Sequence, residues 1–120
     1  MGEYLFMGDQ SGSFIQRRNY FRVRYPPKYA PEIVIWGRTF RVVDICEMGV
    51  RFTNDAHLSF PEGYVVRGVI TFYDKESIQI SGSVAWAKDD DVALRLVRGI
   101  PFTRVLSEQA FLRRPEEQDK

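Results

Sequence analysis

The feature that most constrains the fold is a series of short alternating segments between residues 33 and 96, separated by tight turns. The clearest of these segments runs from Ile78 to Trp86, where apolar side chains alternate with small or polar ones. A period of two places the two sets of side chains on opposite faces of a strand. Since no helical period interrupts the series, the strands are expected to pair antiparallel and to form a small barrel or curled sheet.

The turns divide this series into individual strands. Residues 33–36 and 40–45 are rich in β-branched and aromatic residues and flank a Gly-Arg break, which predicts a hairpin. A turn ending in glycine is expected over residues 44–49, and a long strand over residues 64–73. A polar turn precedes the strand expected at residues 92–96. At least five strands therefore lie close together along the chain.

One amphipathic helix is expected after the strands. Pro101 stands where a first helical position would be, and Arg114-Pro115 closes the pattern. Apolar residues recur between them at three- and four-residue spacing: Phe102, Val105, Leu106 and Ala110. This helix is expected to cap one side of the barrel. Residues 1–15, which lack a sustained period, are expected to form a flexible arm, and residues 115–120 a polar tail that frays.

Length and composition exclude several classes of protein. A chain of 120 residues holds one domain, and its net charge of +1 attracts neither polyanions nor membranes globally. The single cysteine excludes an internal disulfide and a multi-cysteine zinc site. No apolar run approaches the roughly 20 residues needed to span a bilayer, and the N-terminus lacks a secretory pattern. We therefore expect a soluble cytoplasmic protein.

The most unusual local composition lies in residues 17–24, where four arginines occur without an acidic residue. Over the whole chain, arginine outnumbers lysine thirteen to four. Arginine binds phosphate bidentately and also stacks on or hydrogen-bonds to guanine, whereas lysine acts mainly as a point charge. This composition favours a nucleotide or phosphate ligand, although a solvated arm that only keeps the terminus soluble explains it equally well.

A second candidate is the expected turn with Asp44, Cys46 and Gly49. A carboxylate there can accept hydrogen bonds from guanine nitrogens, and glycine permits a close backbone approach. By itself the spacing favours an ordinary turn, in which Asp44 binds its own backbone and Gly49 takes a positive φ.

Taken in order, the two segments resemble the PilZ domain, the bacterial receptor module for cyclic di-GMP. Arg18 and Arg22 match its Arg-x-x-x-Arg motif in the N-terminal loop. Residues 44–49 match its Asp/Asn-x-Ser-x-x-Gly motif, except that Cys46 replaces the serine. The segments 82–86 and 92–96 are also similar to the closing strands of the family.

The resemblance covers about residues 16–98, and a following helix is expected of the family. It implies a mainly β fold: a six-stranded antiparallel β-barrel at about residues 29–98 with a C-terminal α-helix at about 101–113. The whole domain would then span residues 16–114.

The same resemblance implies a ligand site. Arg18 and Arg22 would hold the phosphates and guanines of the dinucleotide, while their loop folds over it. Asp44 would accept hydrogen bonds from a guanine, Cys46 would touch phosphate or base, and Gly49 would let the backbone approach the ligand. A thiol is a weaker hydrogen-bonding group than a hydroxyl, so Cys46 is expected to weaken binding without abolishing it.

Two further residues belong to the predicted site. Arg17 lies where similar domains determine whether one ligand or a stacked pair is bound, and arginine there favours the pair. Trp86 offers a stacking face to a base. Because a tryptophan on a buried strand face is more often part of the core, we expect Trp86 to be a core residue first.

These implications predict a receptor without catalytic residues, metal ligands or a cofactor other than the bound cyclic di-GMP. Ligand binding would order the arginine loop and signal in trans, either to an effector protein or to a second copy of the chain as a homodimer. No nucleic-acid partner and no membrane insertion are expected.

Two other functions remain open at this point. A PilZ-like module for protein interaction in motility or pilus assembly, without the ligand, is favoured by Cys46 alone. Single-strand nucleic-acid binding would use Tyr20 and Phe21 as stacking groups, but the net charge of +1 disfavours it.

Enzymatic and metal sites are disfavoured by the same residues. Cys46 would need His57 as its base, and no cysteine-hydrolase signature surrounds it. The run Asp89-Asp90-Asp91 is typical of a solvated turn between strands rather than of a cation site.

Overall fold

The computed structural model describes residues 22–113, so the predicted arm, the predicted tail and the motif residues Arg17 and Arg18 lie outside the described residues. Within this range the chain forms seven β-strands, one short 3-10 helix and one α-helix. The strands are β1 (Val23–Arg24), β2 (Glu32–Ile35), β3 (Arg38–Cys46), β4 (Gly49–Thr53), β5 (Val65–Thr71), β6 (Ser77–Lys88) and β7 (Asp91–Arg98). The 3-10 helix is Pro27–Tyr29, and the α-helix, α1, is Phe102–Leu112.

All strand pairs are antiparallel, and six of the strands close into a barrel. Its order is β3-β2-β5-β6-β7-β4, with β4 pairing back onto β3. The short β1 adds to the edge of β3 beyond β2, where Val23 lies opposite Ile45. The mainly β fold, with a six-stranded antiparallel barrel and one C-terminal helix, is confirmed.

Two hairpins close with residues in the left-handed region. Trp36 and Gly37 have φ values of 56° and 75° between β2 and β3, and Asp89 and Asp90 have 54° and 68° between β6 and β7. Two consecutive positive φ values match the right-handed twist of the flanking strands. The first of these hairpins confirms the one predicted from the sequence.

The turn predicted over residues 44–49 is wrong. Strand β3 continues through Cys46, so only Glu47 and Met48 form the turn. Asp44 lies opposite Arg51 in the β3–β4 ladder, and Gly49, which lies opposite Cys46, does not have a positive φ. Ladder hydrogen bonds to β4 hold these residues in extended conformation, which the local glycine signal did not reveal.

One cluster of apolar side chains fills the barrel. At one end three aromatic rings pack together: the centroid of Phe52 lies 5.1 Å from that of Phe40 and 5.4 Å from that of Phe60. Outside this cluster the ring of Trp36 stacks on Phe60 at 4.8 Å. Apolar burial of this kind stabilises the fold by roughly 1.5–3 kcal/mol for each fully buried large side chain.

The helix was predicted correctly, but its buried face was not. It begins at Phe102, directly after Pro101, and packs against β1 and β3. Phe102 and Leu106 are 45% and 42% exposed, and Ala110 also faces solvent. Of the predicted apolar face only Val105 is buried.

Two charged residues take the place of the predicted apolar face. Glu108 is 1% exposed and Arg104 is 9% exposed. The hydroxyl of Tyr25 donates to Glu108 Oε1 at 2.7 Å, and Arg104 Nη1 donates to Glu108 Oε2 at 3.1 Å. Arg104 Nη2 also donates to Asp74 at 3.0 Å and to Glu76. This buried network fixes the orientation of α1 about its own axis on the barrel, because only this orientation gives every charged group of the network a partner.

Candidate functional site

A groove of about 760 Å³ lies on the outside of the barrel beside β1, β3, β4, β6 and β7. We call it the arginine groove, because four arginines line it: Arg22, Arg24, Arg51 and Arg95. It also brings together five of the seven residues predicted for the site: Arg22, Asp44, Cys46, Gly49 and Trp86. The strands, not the local sequence, create this juxtaposition.

Asp44 is the buried centre of the arginine groove. It is 2% exposed, and both of its carboxylate oxygens are bound by arginines. Arg22 Nη1 donates to Oδ1 at 3.0 Å, and Arg51 Nη2 donates to Oδ2 at 2.8 Å. A register shift in β3 between Val42 and Asp44 places Asp44 opposite Arg51, while β1 places Arg24 opposite it on the other side. Charge-assisted pairs of this kind hold the two guanidinium groups in fixed positions.

The groove has an excess of positive charge. Among the residues that the structure describes, its lining has four guanidinium groups and a single carboxylate, Asp44. Arg51 also lies 3.8 Å from Asp91, whereas Arg24 and Arg95 form no ion pair with any residue in the range 22–113. A concave surface with excess guanidinium charge attracts an anionic ligand.

Sequence reasoning missed three of the lining arginines as site residues. Arg24 was counted only as part of the basic segment, and Arg51 and Arg95 were not singled out. Arg51 lies between the buried Val50 and Phe52, so the strand alternation already placed it on the outer face. Nothing in the local sequence indicated that Arg95 lies beside it, because β7 meets β4 only in the closed barrel.

Cys46 and Gly49 form the floor of the groove. The Cys46 side chain is 5% exposed, and a Cβ built on Gly49 would lie 3.3 Å from its sulfur atom and 3.4 Å from the Leu94 carbonyl oxygen. Gly49 is therefore suited to this position because its missing side chain leaves room for the Cys46 thiol and for the neighbouring strand. It is not needed here for a positive φ. Met48, 37% exposed, forms part of the rim.

Trp86 is not a core residue, and that prediction is wrong. A β-bulge between Val84 and Trp86 adds one residue to β6, so Trp86 lies opposite Ala93 while Val84 lies opposite Leu94. A one-residue shift moves a side chain to the other face of the sheet. Trp86 is consequently 42% exposed and lines the arginine groove.

Within residues 22–113 the structure does not bring Cys46 and His57 together in one groove. His57 lies 3.3 Å from Asp90, with both side chains exposed, and does not line the groove that holds Cys46. No three His, Cys, Asp or Glu side chains of the described part of the chain are placed to hold a metal ion. The same part contains no helix that is long and apolar enough to cross a bilayer.

Solved structures with the same fold confirm this architecture. The inhibitor of motility of Bacillus subtilis (MotI/DgrA) aligns with a TM-score of 0.64 and 19% identity over 83% of this chain and 55% of that protein. An uncharacterised Legionella protein aligns with a TM-score of 0.54 and 16% identity over 84% of this chain and 100% of its own. The chain thus spans little more than half of the Bacillus protein, and at these identities the likeness concerns the fold alone.

A search among curated proteins finds no match. The PilZ domain family matches residues 16–114, a range that includes the whole described barrel, the helix and both motifs. This match confirms the resemblance seen in the sequence. The chain therefore belongs to the PilZ domain family, a family of cyclic di-GMP receptor and adaptor modules.

Proposed function

We propose that this chain is a cytoplasmic bacterial receptor that binds cyclic di-GMP in the arginine groove and signals in trans to an effector. One observation carries the proposal: among the described residues four arginines line a groove of about 760 Å³, and two of them, Arg22 and Arg51, bind its buried carboxylate, Asp44. Small-ligand sites typically measure roughly 300–1,000 Å³, so the groove is large enough for a nucleotide ligand.

The groove offers a partner for each part of the dinucleotide. Arg24 and Arg95, which form no ion pair within residues 22–113, are available to its phosphates. The exposed ring of Trp86 provides a stacking face for a guanine. Asp44 already binds two arginines, but each carboxylate oxygen has two lone pairs, so Asp44 can also accept from a guanine N–H.

Arg22 connects the site to the motif loop. Its side chain is 60% exposed although one nitrogen binds Asp44, so its remaining N–H groups can reach a ligand phosphate. In this proposal, binding closes the loop that carries Arg17 and Arg18 over the dinucleotide. Arginine at position 17 favours a stacked pair, which predicts two ligands per chain.

The described contacts provide a route from the ligand to the helix. Arg22 directly precedes β1, and Tyr25 directly follows it. The Tyr25 hydroxyl binds the buried Glu108 of α1 at 2.7 Å. A ligand that shifts Arg22 therefore acts on a segment already bound to the helix, and the reshaped surface is read by a partner protein or a second copy of the chain.

The decisive experiment is isothermal titration of the chain with cyclic di-GMP. The Arg18→Ala/Arg22→Ala variant should lose roughly 10- to 100-fold in affinity for each charge-assisted contact removed. The matched control is Arg38→Ala/Arg41→Ala, which removes two arginines of β3 outside the groove and should bind like the parent. Equal binding by the parent and the Arg18→Ala/Arg22→Ala variant would overturn the proposal.

One observation favours a second function, an interaction module that does not bind the dinucleotide. The residue at the serine position of the second motif is the buried thiol of Cys46, a weak hydrogen-bonding group. Absence of titration heat at high micromolar ligand, together with an unchanged melting temperature, would favour this second function and direct the search to protein partners. Saturable binding to the parent chain would exclude it.

A further inference from the structure

A second groove, of about 620 Å³, crosses the outer face of β2, β5, β6 and β7, and none of the described residues lines both this groove and the arginine groove. We call it the sheet groove. Its lining includes Val34, Trp36, Arg67, Gln79, Ser81 and Arg98. Nothing in the proposed binding of cyclic di-GMP uses these residues.

The strand register arranges the polar residues of the sheet groove in a row. Arg67 of β5 lies opposite Ser81 of β6, and Ser81 lies opposite Arg98 of β7. Two guanidinium groups therefore flank one hydroxyl on neighbouring strands. Val69, next along β5, lies between Val34 and Gln79 and adds an apolar neighbour to this row.

Neither Arg67 nor Arg98 has an acidic partner among the described residues. Strands β5 and β6 contain no Asp or Glu, and β7 contains none after Asp91. Within residues 22–113, Arg67 forms no ion pair, and the side chain of Arg98 binds only the amide oxygen of Gln79, at 3.5 Å. A charged pair of this kind on a sheet face is complementary to carboxylates on another molecule.

Exposed apolar residues lie in the groove or close to its arginines along the strands. Trp36 is 50% exposed and is held flat against Phe60, with 4.8 Å between the ring centroids. Val97, the extra residue of a bulge in β7, is 83% exposed, and Val65 is 73% exposed. Exposed tryptophan and arginine are the residues most enriched among the anchors of protein interfaces.

We infer that the sheet groove docks an acidic segment of a partner protein. Carboxylates of that segment pair with Arg67 and Arg98, and its apolar side chains pack on Trp36 and the neighbouring valines. A nucleic-acid strand would need a longer track of cations, whereas Arg67 and Arg98 are the only charged residues among the described ones lining the groove. A lipid surface is flat and does not fill a concave groove.

This docking site deepens the proposed adaptor function and rests on it for its role in signalling, although docking itself is measurable without the dinucleotide. Strand β7 contributes Arg95 to the arginine groove and Arg98 to the sheet groove. A ligand held by Arg95 therefore acts on the same strand as the partner, three residues away.

The test uses a phage library of random 12-residue peptides as the probe, in the absence of cyclic di-GMP. The library is first depleted on an Arg67→Glu/Arg98→Glu variant and then selected on the parent chain. We expect a pool enriched in Asp and Glu next to aliphatic residues. Synthetic peptides from this pool should bind the parent at least tenfold more tightly than the variant, and bind an Arg38→Glu/Arg41→Glu control within threefold of the parent.

Several results would overturn the inference: no enriched pool, a pool without acidic residues, or equal affinity for the parent and the variant. In another outcome, the parent yields no peptide pool but binds a 20-nucleotide oligo-dT or phosphatidylglycerol vesicles. If the Arg67→Glu/Arg98→Glu variant loses that binding, the groove is assigned to nucleic acid or lipid. If circular dichroism shows that the charge-reversed variant does not fold, Ser81→Trp takes its place in the comparison. This substitution blocks the groove without changing its charge, and it should also weaken peptide binding. Since no step requires cyclic di-GMP, failure of the receptor proposal and failure of this inference give different results.

Discussion

Replacing Arg104 by alanine should destabilise the fold strongly, because it leaves the buried carboxylate of Glu108 without its charged partner. Its guanidinium donates to Glu108 at 3.1 Å and to Asp74 at 3.0 Å, and lies 4.7 Å above the ring centroid of Phe72. Burial alone would lower the pKa of Arg104, but its hydrogen bonds to Asp74 and Glu108 raise that pKa well above its usual range. Arg104 therefore remains charged at every pH at which the fold persists.

The magnitude follows from what the variant leaves behind. Among the described residues, Glu108, 1% exposed, would keep only the Tyr25 hydroxyl as a partner. Removing one member of a buried ion pair typically costs about 3–5 kcal/mol, because the other charge stays buried without compensation. The contacts to the more exposed Asp74 and Glu76 add little, since pairs near the surface contribute about 0–1 kcal/mol. For a domain of this size, whose free energy of unfolding is about 5–15 kcal/mol, the loss is about a fifth or more of the total.

Urea unfolding monitored by tryptophan fluorescence and by circular dichroism measures this loss. The informative companion is Arg104→Ala/Glu108→Gln, in which a neutral amide replaces the carboxylate and its oxygen still accepts from Tyr25. This double variant should recover about 2 kcal/mol relative to Arg104→Ala, since no charge then remains buried without a partner. A loss below about 1 kcal/mol in Arg104→Ala, or a double variant less stable than the single one, would refute the reasoning.

Three further predictions concern pH, packing and affinity. Burial, and then the hydrogen bond to Glu108, raise the pKa of Tyr25 far above its ordinary 10.0, so above about pH 10 only the unfolded chain ionises this phenol. The free energy of unfolding of the parent should then fall by about 1.4 kcal/mol per pH unit relative to that of Tyr25→Phe. Urea unfolding of both proteins from pH 9 to 11 measures this difference, and the same pH dependence in both would contradict the prediction. Gly82→Ala should destabilise the barrel by about 3 kcal/mol or more, because the new Cβ would lie 2.1 Å from the Arg95 carbonyl oxygen and 2.8 Å from the Leu96 Cα. Thermal unfolding measures this loss, with Ser83→Ala as the control variant. A melting temperature of Gly82→Ala equal to that of the parent would disprove the prediction. Cys46→Ser should bind cyclic di-GMP roughly two- to tenfold more tightly than the parent, because the hydroxyl restores one neutral hydrogen bond. Isothermal titration measures this gain in affinity, and the same gain in Cys46→Ala would contradict the prediction.

The sequence by itself determined most of the strands and their antiparallel pairing. The local signals are the alternation of apolar and polar residues along 78–86 and 92–96 and the glycine at position 37. They depend only on near neighbours in the chain, so they predict strands and turns whatever the tertiary arrangement. The two motifs, with Arg22 in the first and Asp44 in the second, indicated the family for the same reason. Each motif is contiguous in the chain, so its recognition requires no knowledge of distant contacts.

Only the tertiary structure decided which faces those elements present. The bulge in β6 turns Trp86 out of the core and into the arginine groove, and the buried Glu108 rotates α1 so that Phe102 faces solvent. Closure of the barrel brings Arg95 into a groove whose other arginines lie far from it in sequence. Bulges, buried charge pairs and strand closure depend on partners distant in the chain, and a periodic pattern carries information only about near neighbours.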